Sequence, residues 1–253
     1  MTRILCAGLA AAGLLAGHLH LAAAEAGRLR HLVSVYFDEQ GAGLSLPEGV
    51  ACGANGQVVI GDTGNDRLVR FTFRDKSVSE VRAIRPPQVA APSRIQLNSK
   101  GDIYALDSRQ RRIVRLSPEG AFAGILAFTG VPSPSTVVPK SFAIDASDNL
   151  YVLDVFSARV LVVDAQGKFA RALALPDGAR FGTDVAIDAA GSLFLIDSIA
   201  RRMYSAARDA SSFAPLGGDL SESVVTLPTS IAATRGLILV PEGTGGSILA
   251  FGR

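Results

Sequence analysis

The stretch Gly49–Phe73, GVACGANGQVVIGDTGNDRLVRFTF, carries the plan that the rest of the chain repeats. A short apolar run leads into a turn at Asn55-Gly56, and a second run, QVVIGD, ends on Asp62. A polar loop follows, and a third run begins at Arg67. Because these runs are short, apolar and rich in β-branched residues, they predict three antiparallel β-strands rather than helices.

The acidic residue that ends the second strand recurs at intervals of 43 to 47 residues. Its five copies are Asp62, Asp107, Asp154, Asp197 and Glu242. Six residues before each copy stands a residue that favours a tight turn, namely Gly56, Gly101, Asp148, Gly191 and Gly236. A fourth apolar run separates successive units, and four short strands at this period are typical of a β-propeller blade.

The repeat count predicts an all-β propeller with five four-stranded blades. The fifth unit stops after its third strand, SILAFG at 247–252, whereas a strand-like run, RHLVSVYF at 30–37, precedes the first unit. We expect this N-terminal strand to pair with the C-terminal blade, because that pairing would remove an exposed sheet edge and close the ring. No linker divides the chain, so residues 27–253 are predicted to form one domain.

Residues 1–26 are predicted to be a signal peptide. Arg3 gives a positive start, the run Ile4–Gly17 is almost wholly apolar, and small residues allow cleavage after Ala24 or Ala26. An uncleaved membrane anchor is the alternative, but the apolar run is short for a membrane span. The sequence therefore predicts an exported protein, periplasmic or secreted, without a membrane span after cleavage.

Charge and cysteine content narrow the possible functions. The formal net charge is +2 at pH 7, without a concentrated basic region, so no nucleic-acid partner is predicted. After signal cleavage one cysteine would remain, Cys52, which lies in an apolar run and is predicted to be a small core residue. An intermolecular disulfide is the alternative. His31 would be the one remaining histidine, so a zinc site built from several histidines is not expected.

An arginine follows the strand-ending aspartate by five residues in four of the units. The pairs are Asp62/Arg67, Asp107/Arg112, Asp154/Arg159 and Asp197/Arg202. A carboxylate at a strand end and a guanidinium five residues later can close the loop between the second and third strands as a charge-assisted pair. Because the pair recurs in several units, we predict a structural role for it rather than a catalytic one.

The proline entry, the glycine turn, the strand-ending aspartate and the following arginine together resemble the NHL repeat. The first unit, DTGNDRLVRF at 62–71, is the nearest copy, and the resemblance covers about residues 45–253. It implies four-stranded propeller blades, most often six in a ring, so six blades is the alternative to the five counted here. Related propellers include enzymes that use histidine-bound zinc or a histidine base, which His31 alone does not match.

In a propeller, the entries to the first strands and the loops between the second and third strands lie on one face, around the central channel. The residues predicted to bind on this face are Glu48, Arg94, Arg109, Lys140 and Asp184. The leading hypothesis is a monomeric, non-catalytic scaffold that binds a protein, a peptide or a small polar ligand and needs no cofactor.

Two alternatives stay open. One is a cation-dependent hydrolase or lyase, because gluconolactonase-like propellers hold a divalent cation with Glu, Asn and Asp in the channel. The residues that would serve for Ca²⁺ are Glu48, Asp184 and Asn98. The other alternative is a structural component of the cell envelope. Fold alone does not choose between them, since propellers host many functions.

Overall fold

Five antiparallel sheets follow one another along the chain and surround a central channel, which confirms the predicted all-β propeller of five blades. The computed structural model describes residues 31–177, 179, 182–217, 220, 227–234, 236–241, 243 and 248–252. The predicted signal peptide at 1–26 and the fifth acid, Glu242, lie outside these residues. No helix within the described ranges is long and apolar enough to cross a membrane.

The strands are numbered in chain order. Blade 1 contains β1 Pro47–Cys52, β2 Gln57–Asp62, β3 Arg67–Arg74 and β4 Ser77–Ile84. Blade 2 contains β5 Pro92–Leu97, β6 Ile103–Asp107, β7 Arg112–Leu116 and β8 Phe122–Ile125. Blade 3 contains β9 Pro139–Ile144, β10 Leu150–Asp154, β11 Arg159–Val163 and β12 Phe169–Ala174. Blade 4 contains β13 Gly182–Ile187, β14 Leu193–Asp197, β15 Arg202–Ala206 and β16 Ala214–Leu216. Blade 5 contains β17 Ala232–Ala233, β18 Leu237–Pro241 and β19 Ile248–Gly252. Two short 3-10 turns occupy Ala54–Gly56 and Thr63–Asn65.

Tight turns join the first two strands of each blade at the positions that the repeat predicts. All five turn residues have positive φ, between 63° and 93°, at Gly56, Gly101, Asp148, Gly191 and Gly236. At Gly56 the backbone also passes so close that an added Cβ would lie 2.2 Å from the carbonyl oxygen of Phe73. Glycine is required at this position for both reasons.

A polar side chain three residues before the turn residue stabilises the same turn in blades 2 to 4. It accepts hydrogen bonds from the backbone N–H groups two and four residues later, at 2.8 to 3.0 Å, and the three residues are Asn98, Asp145 and Asp188. Asn and Asp side chains favour turns because they offer the backbone this local acceptor. The Asn or Asp three residues before the turn residue is visible in the sequence, but its role in the turn was not predicted.

Apolar side chains fill the four junctions between successive blades. Each junction holds one cluster of buried residues, represented by Val59 and Ile95 between blades 1 and 2, by Leu106 and Phe142 between blades 2 and 3, by Leu153 and Val185 between blades 3 and 4, and by Phe194 and Ile238 between blades 4 and 5. Side chains of central strands alternate between the two neighbouring junctions, so each blade contributes to the cores on both sides.

The predicted closure of the ring by residues 30–37 is wrong for the part of this run that the structure describes. Residues 31–37 form no ladder with β19, and their one bridge joins Phe37 to Gly43 in a local hairpin. The reason is that the turn after Phe37 is held on blade 1. Asp38 is buried there, where it pairs with Arg67 and, at 3.2 Å, with Arg85.

The pKa of Asp38 reflects this anchor. Burial raises the pKa, but the backbone N–H groups of Ala42 and Gln40, a hydrogen bond from Arg85 and the charge of Arg67 outweigh that effect and lower the pKa to about 2. The carboxylate is therefore ionised at neutral pH, and it is the charged form that holds the N-terminal turn against blade 1.

Cys52 is exposed, not a core residue as predicted. It ends β1, where alternate side chains point toward blade 2 and away from it, and Ala51 takes the buried position. Because no buried cluster of described residues covers the other side of β1, the thiol remains accessible.

The strand-ending aspartates bind the connector that enters their own blade. In blades 1 to 3 the carboxylate accepts a hydrogen bond from a backbone N–H that lies 16 or 17 residues earlier. The three bonds join Ser45 to Asp62 at 2.6 Å, Ala90 to Asp107 at 3.0 Å, and Val138 to Asp154 at 3.0 Å. These carboxylates are fully buried, so the bonds also satisfy groups that would be costly to leave unpaired.

The arginines that follow bind the same connectors through backbone carbonyl groups. The bonds run from Arg67 to Ala42 and Gly43 at 3.1 and 3.0 Å, from Arg112 to Gln88 at 2.7 Å, and from Arg159 to Pro134 at 2.7 Å. We call the aspartate and arginine with their connector bonds the connector clamp. It fixes the angle at which the chain enters the channel side of blades 1, 2 and 3.

The predicted contact within each Asp/Arg pair forms in two blades. Arg67 lies 2.6 Å from Asp62, and Arg159 lies 3.0 Å from Asp154. No ion pair between described residues joins Asp107 to Arg112 or Asp197 to Arg202. In blade 2 the carboxylate of Asp107 already accepts three backbone N–H groups, and the Nε of Arg112 is buried without a hydrogen-bond partner.

Blade 4 departs from the predicted pair in a different way. Asp197 accepts backbone hydrogen bonds from Ile199 and Ala200 at 2.9 and 2.8 Å, which fold the loop before β15. The side chain of Arg202, at the start of β15, is exposed. The same sequence pattern therefore gives a buried guanidinium in blade 1 and a solvated one in blade 4.

We predict that Arg67→Ala lowers the free energy of unfolding by about 3–5 kcal/mol, because it leaves the buried carboxylate of Asp62 without its cation and leaves Asp38 with Arg85 alone. Arg202→Ala is the matched control and should change stability by no more than about 0.5 kcal/mol, since its side chain is solvated. Urea unfolding followed by circular dichroism measures both variants. An equal decrease in the free energy of unfolding of the two variants would show that the connector clamp of blade 1 does not stabilise the fold more than an exposed arginine does.

Candidate binding site in the central channel

The first strands of all five blades line one cavity of about 810 Å³ in the channel. Four of the five residues predicted to bind, Glu48, Arg94, Lys140 and Asp184, lie in its wall. They come from blades 1, 2, 3 and 4. The fifth, Arg109, lies elsewhere.

Two positions of the strand entry supply these side chains, and local backbone geometry separates them. The second residue of β1, β5, β9 and β13 forms a β-bulge, because the residues before and after it pair with two consecutive residues of the next strand. The four bulged residues are Glu48, Ser93, Lys140 and Thr183. A β-bulge changes the direction of a side chain. In β5, β9 and β13 the third residue points toward the neighbouring blades instead, and these residues are Arg94, Ser141 and Asp184. The third residue of β1 is Gly49, which has no side chain.

Asp184 is buried, with a side chain only 4% exposed, and both of its oxygen atoms are engaged. Oδ1 accepts a hydrogen bond from the hydroxyl of Ser141. It also accepts one from the backbone N–H of Val185, at 2.9 Å. Oδ2 accepts hydrogen bonds from Nη1 of Arg94 and from the backbone N–H of Ile231, each at 2.9 Å. Four donors therefore surround this carboxylate.

Arg94 reaches across blade 3 to make this contact. Its Nη2 donates to the carbonyl of Val185 at 3.1 Å, and its Nε donates to the carbonyl of Phe142 at 3.3 Å. We call Arg94, Ser141 and Asp184 the channel lock, because together with Ile231 they join blades 2, 3, 4 and 5. The geometry thus gives Arg94 and Asp184 a structural role inside the predicted site.

Glu48 and Lys140 are arranged differently. Both side chains are exposed at the bulges of β1 and β9, and neither makes a hydrogen bond or an ion pair with any other residue that the structure describes. Two groups of opposite charge therefore stand in the cavity wall with their hydrogen-bonding capacity directed to solvent. Of the predicted site residues, these two are the ones available to a ligand.

Arg109 lies outside the cavity, on the loop between β6 and β7. Both of its Nη atoms contact the carboxylate of Asp66 on blade 1, at 3.2 Å. The pair is exposed on both sides, with 61% and 46% of the side chains accessible, and such pairs contribute little to stability. The structure does not bring Arg109 together with the other four residues.

The described residues of the channel do not form the ligand set of a divalent cation, and His31 lies outside the channel. No group of three His, Cys, Asp or Glu side chains in the described ranges is arranged to hold a metal ion. The donor set around Asp184 does not suit a cation, because N–H and O–H groups already occupy both carboxylate oxygens. His31 is exposed and contacts Ser34 Oγ at 2.9 Å, away from the channel.

Comparison with solved structures defines the class of the fold: this chain is a β-propeller. A structure described as a nidogen/laminin complex matches with a TM-score of 0.67 and 18% identity over 83% of this chain and 76% of that chain. Virginiamycin B lyase from Staphylococcus aureus matches with a TM-score of 0.58 and 18% identity over 81% of this chain, and this chain spans 65% of its length. A streptogramin B lyase structure gives a TM-score of 0.60 at 15% identity, with 82% of this chain and 69% of that chain covered.

At these identities the matches establish the fold alone. No family model matches the chain, and no curated protein matches it either. The resemblance to the NHL repeat therefore stays a prediction from the sequence, while the propeller architecture that it implied is confirmed. The neighbouring structures include both a binding protein and lyases, so the fold does not decide between those classes.

We predict that Asp184→Asn lowers the free energy of unfolding by roughly 3 kcal/mol or more, because Arg94 then loses its carboxylate inside the channel. Glu48→Gln is the control in the same cavity and should stay within about 0.5 kcal/mol of the parent protein, since Glu48 has no ion pair or hydrogen bond with another described residue to lose. Thermal and urea unfolding of both variants test this. An Asp184→Asn protein as stable as the parent would remove the structural assignment of the channel lock.

Proposed function

We propose that the protein is a non-catalytic binding scaffold that takes a polar ligand, or a segment of a partner protein, in the central-channel cavity. One observation carries this proposal. Glu48 and Lys140 project into a cavity of about 810 Å³ without a hydrogen bond or an ion pair to another described residue, while the channel lock behind them fixes the wall. Ligand sites are typically concave, with a few placed polar groups on a rigid surround.

The charges and the remaining lining describe what would fit. Glu48 offers a carboxylate and Lys140 an ammonium group, so a ligand that carries both signs of charge would be complemented at two points. Apolar side chains on the blade 1 and blade 5 sides, Val50, Leu239 and Ile248, add contact area in the same cavity. A peptide or a small zwitterionic molecule has this combination of features.

The main alternative is a cation-dependent hydrolase or lyase with its site in the same channel. The proposed ligands of the cation would be Glu48 and Asp184, and the four donors around Asp184 weigh against this choice. The lyases among the structural neighbours support the alternative only through their fold. For these reasons we place binding ahead of catalysis.

Charge substitution tests the binding proposal. The purified protein is screened by calorimetry against amino acids, short peptides and sugar acids, and a compound that binds is then measured with Glu48→Gln and Lys140→Gln. We expect each variant to bind at least tenfold more weakly, a loss of about 1.4 kcal/mol, because a charge-assisted contact is removed.

Arg109→Gln is the matched control for these variants. It removes a cation from the same end of the propeller but outside the cavity, so it should bind the compound as the parent protein does. Equal affinity in Glu48→Gln, Lys140→Gln and the control would place the binding site elsewhere and contradict the proposal.

We also propose that the protein is exported, to the periplasm or the medium. The support is the sequence of residues 1–26, with its positive start, its apolar run and its small residues before Gly27. Mass spectrometry of the protein from its own cells should find Glu25 or Gly27 at the N-terminus. Material that retains residues 1–24 in a membrane fraction would instead support the anchor.

A further inference from the structure

The junction between blade 5 and blade 1, which we call the seam, lacks the apolar core of the other four. Each buried cluster joins two successive blades, and none of those formed by described residues joins blade 5 to blade 1. Apolar side chains of both blades are open to solvent instead, with Val50 63%, Ile248 53% and Leu237 46% exposed. Exposed apolar groups on facing sheets are typical of a surface that binds another chain.

Blade 5 also has an open sheet edge. In blades 1 to 4 a fourth strand covers the third, whereas the described residues of blade 5 end with β19 as the third and outermost strand. The segment ILAFG that forms β19 has no charged residue, and its outer side makes no backbone hydrogen bond to any described residue. An uncharged and uncovered edge strand is a template for pairing with another strand.

A strand-forming segment without a partner lies in the same chain. Residues 31–37, HLVSVYF, are rich in β-branched and aromatic residues, yet form only the bridge from Phe37 to Gly43. Tyr36 is 64% exposed, Phe37 58% and Leu32 47%. The segment therefore has a strand's composition and an apolar surface that no described residue of its own copy covers.

The base of this segment is fixed at the outer side of blade 1. Asp38 pairs with Arg67, and the backbone N–H of Ala83 on β4 donates to Glu39 at 2.7 Å. The segment leaves the ring at its perimeter and is not joined to β19 of the same copy. Within the part of the chain that the structure describes, each copy thus has a strand-forming segment and a sheet edge that do not pair with each other.

We propose that residues 31–37 of a second copy complete β19, so that two copies exchange N-terminal strands and form a closed dimer. Reciprocal exchange satisfies both elements in both copies, and exchange of an identical segment is a low-cost route to a dimer. Neither β19 nor residues 31–37 carries a formal charge at neutral pH, so no like charges oppose the pairing. The proposal is independent of the ligand in the channel, and it departs from the monomer expected from the sequence.

Light scattering after size-exclusion chromatography gives the first test. The purified protein should have twice the mass of one chain, and Val35→Pro should have the mass of one chain, because proline removes an N–H and blocks strand pairing. Val35→Thr keeps the N–H and the strand propensity, so it should remain dimeric. A single-chain mass for the parent protein, or a double mass that survives in Val35→Pro, would overturn the proposal.

Cross-linking distinguishes exchange from closure within one chain and does not depend on the proline variant. In a Cys52→Ser background, a chain with Val35→Cys is mixed with a differently tagged chain that carries Ala250→Cys. Oxidation should give a covalent dimer that contains both tags. A chain with both cysteines that closes on itself, without forming covalent dimers, would show that β19 is completed by its own N-terminus and refute exchange.

Discussion

The hydrogen bond between a connector N–H and the carboxylate that ends the second strand is the interaction on which the propeller depends. It recurs in blades 1, 2 and 3 at nearly the same separation along the chain. Because the carboxylate is fully buried, it needs this partner, and because the connector leads into the innermost strand, the bond sets where that strand begins. The arginine adds a second hold through the connector carbonyls, so position and direction are both fixed.

The channel site is a consequence of that arrangement. When each innermost strand starts at a fixed place, its second residue falls on a bulge and its third faces the neighbouring blades. Residues at the third position, Arg94, Ser141 and Asp184, satisfy one another, whereas the side chains of Glu48 and Lys140 at the second position make no hydrogen bond or ion pair with another described residue. The β-bulge at the second position thus separates the hydrogen-bonded part of the cavity wall from the side chains that face solvent.

Sequence predicted what is local and repeated. The turn residues, the strand-ending aspartates and the blade count follow from spacing, and Asp62/Arg67 meet because five residues of chain bring them together. Contacts that depend on competition or on distant packing were not predictable. Asp107 is taken by backbone N–H groups rather than by Arg112, and Arg94 meets Asp184 across 90 residues of sequence. The exposure of Cys52 depends on the absence of a fifth apolar cluster among the described residues, which no single repeat reveals.

Among the described residues, the first and last blades share no apolar core, so the blades resemble a linear repeat array, in which each unit contacts only its neighbours and unfolding begins at the ends. The channel lock changes this behaviour. Through Arg94 it ties blade 2 to blade 4, and through Asp184 it ties blade 4 to Ile231 beside β17, so units that are not neighbours share one polar network. Loss of blade 5 would remove the N–H of Ile231 from the network and expose its buried carboxylate, which makes fraying from that end costly.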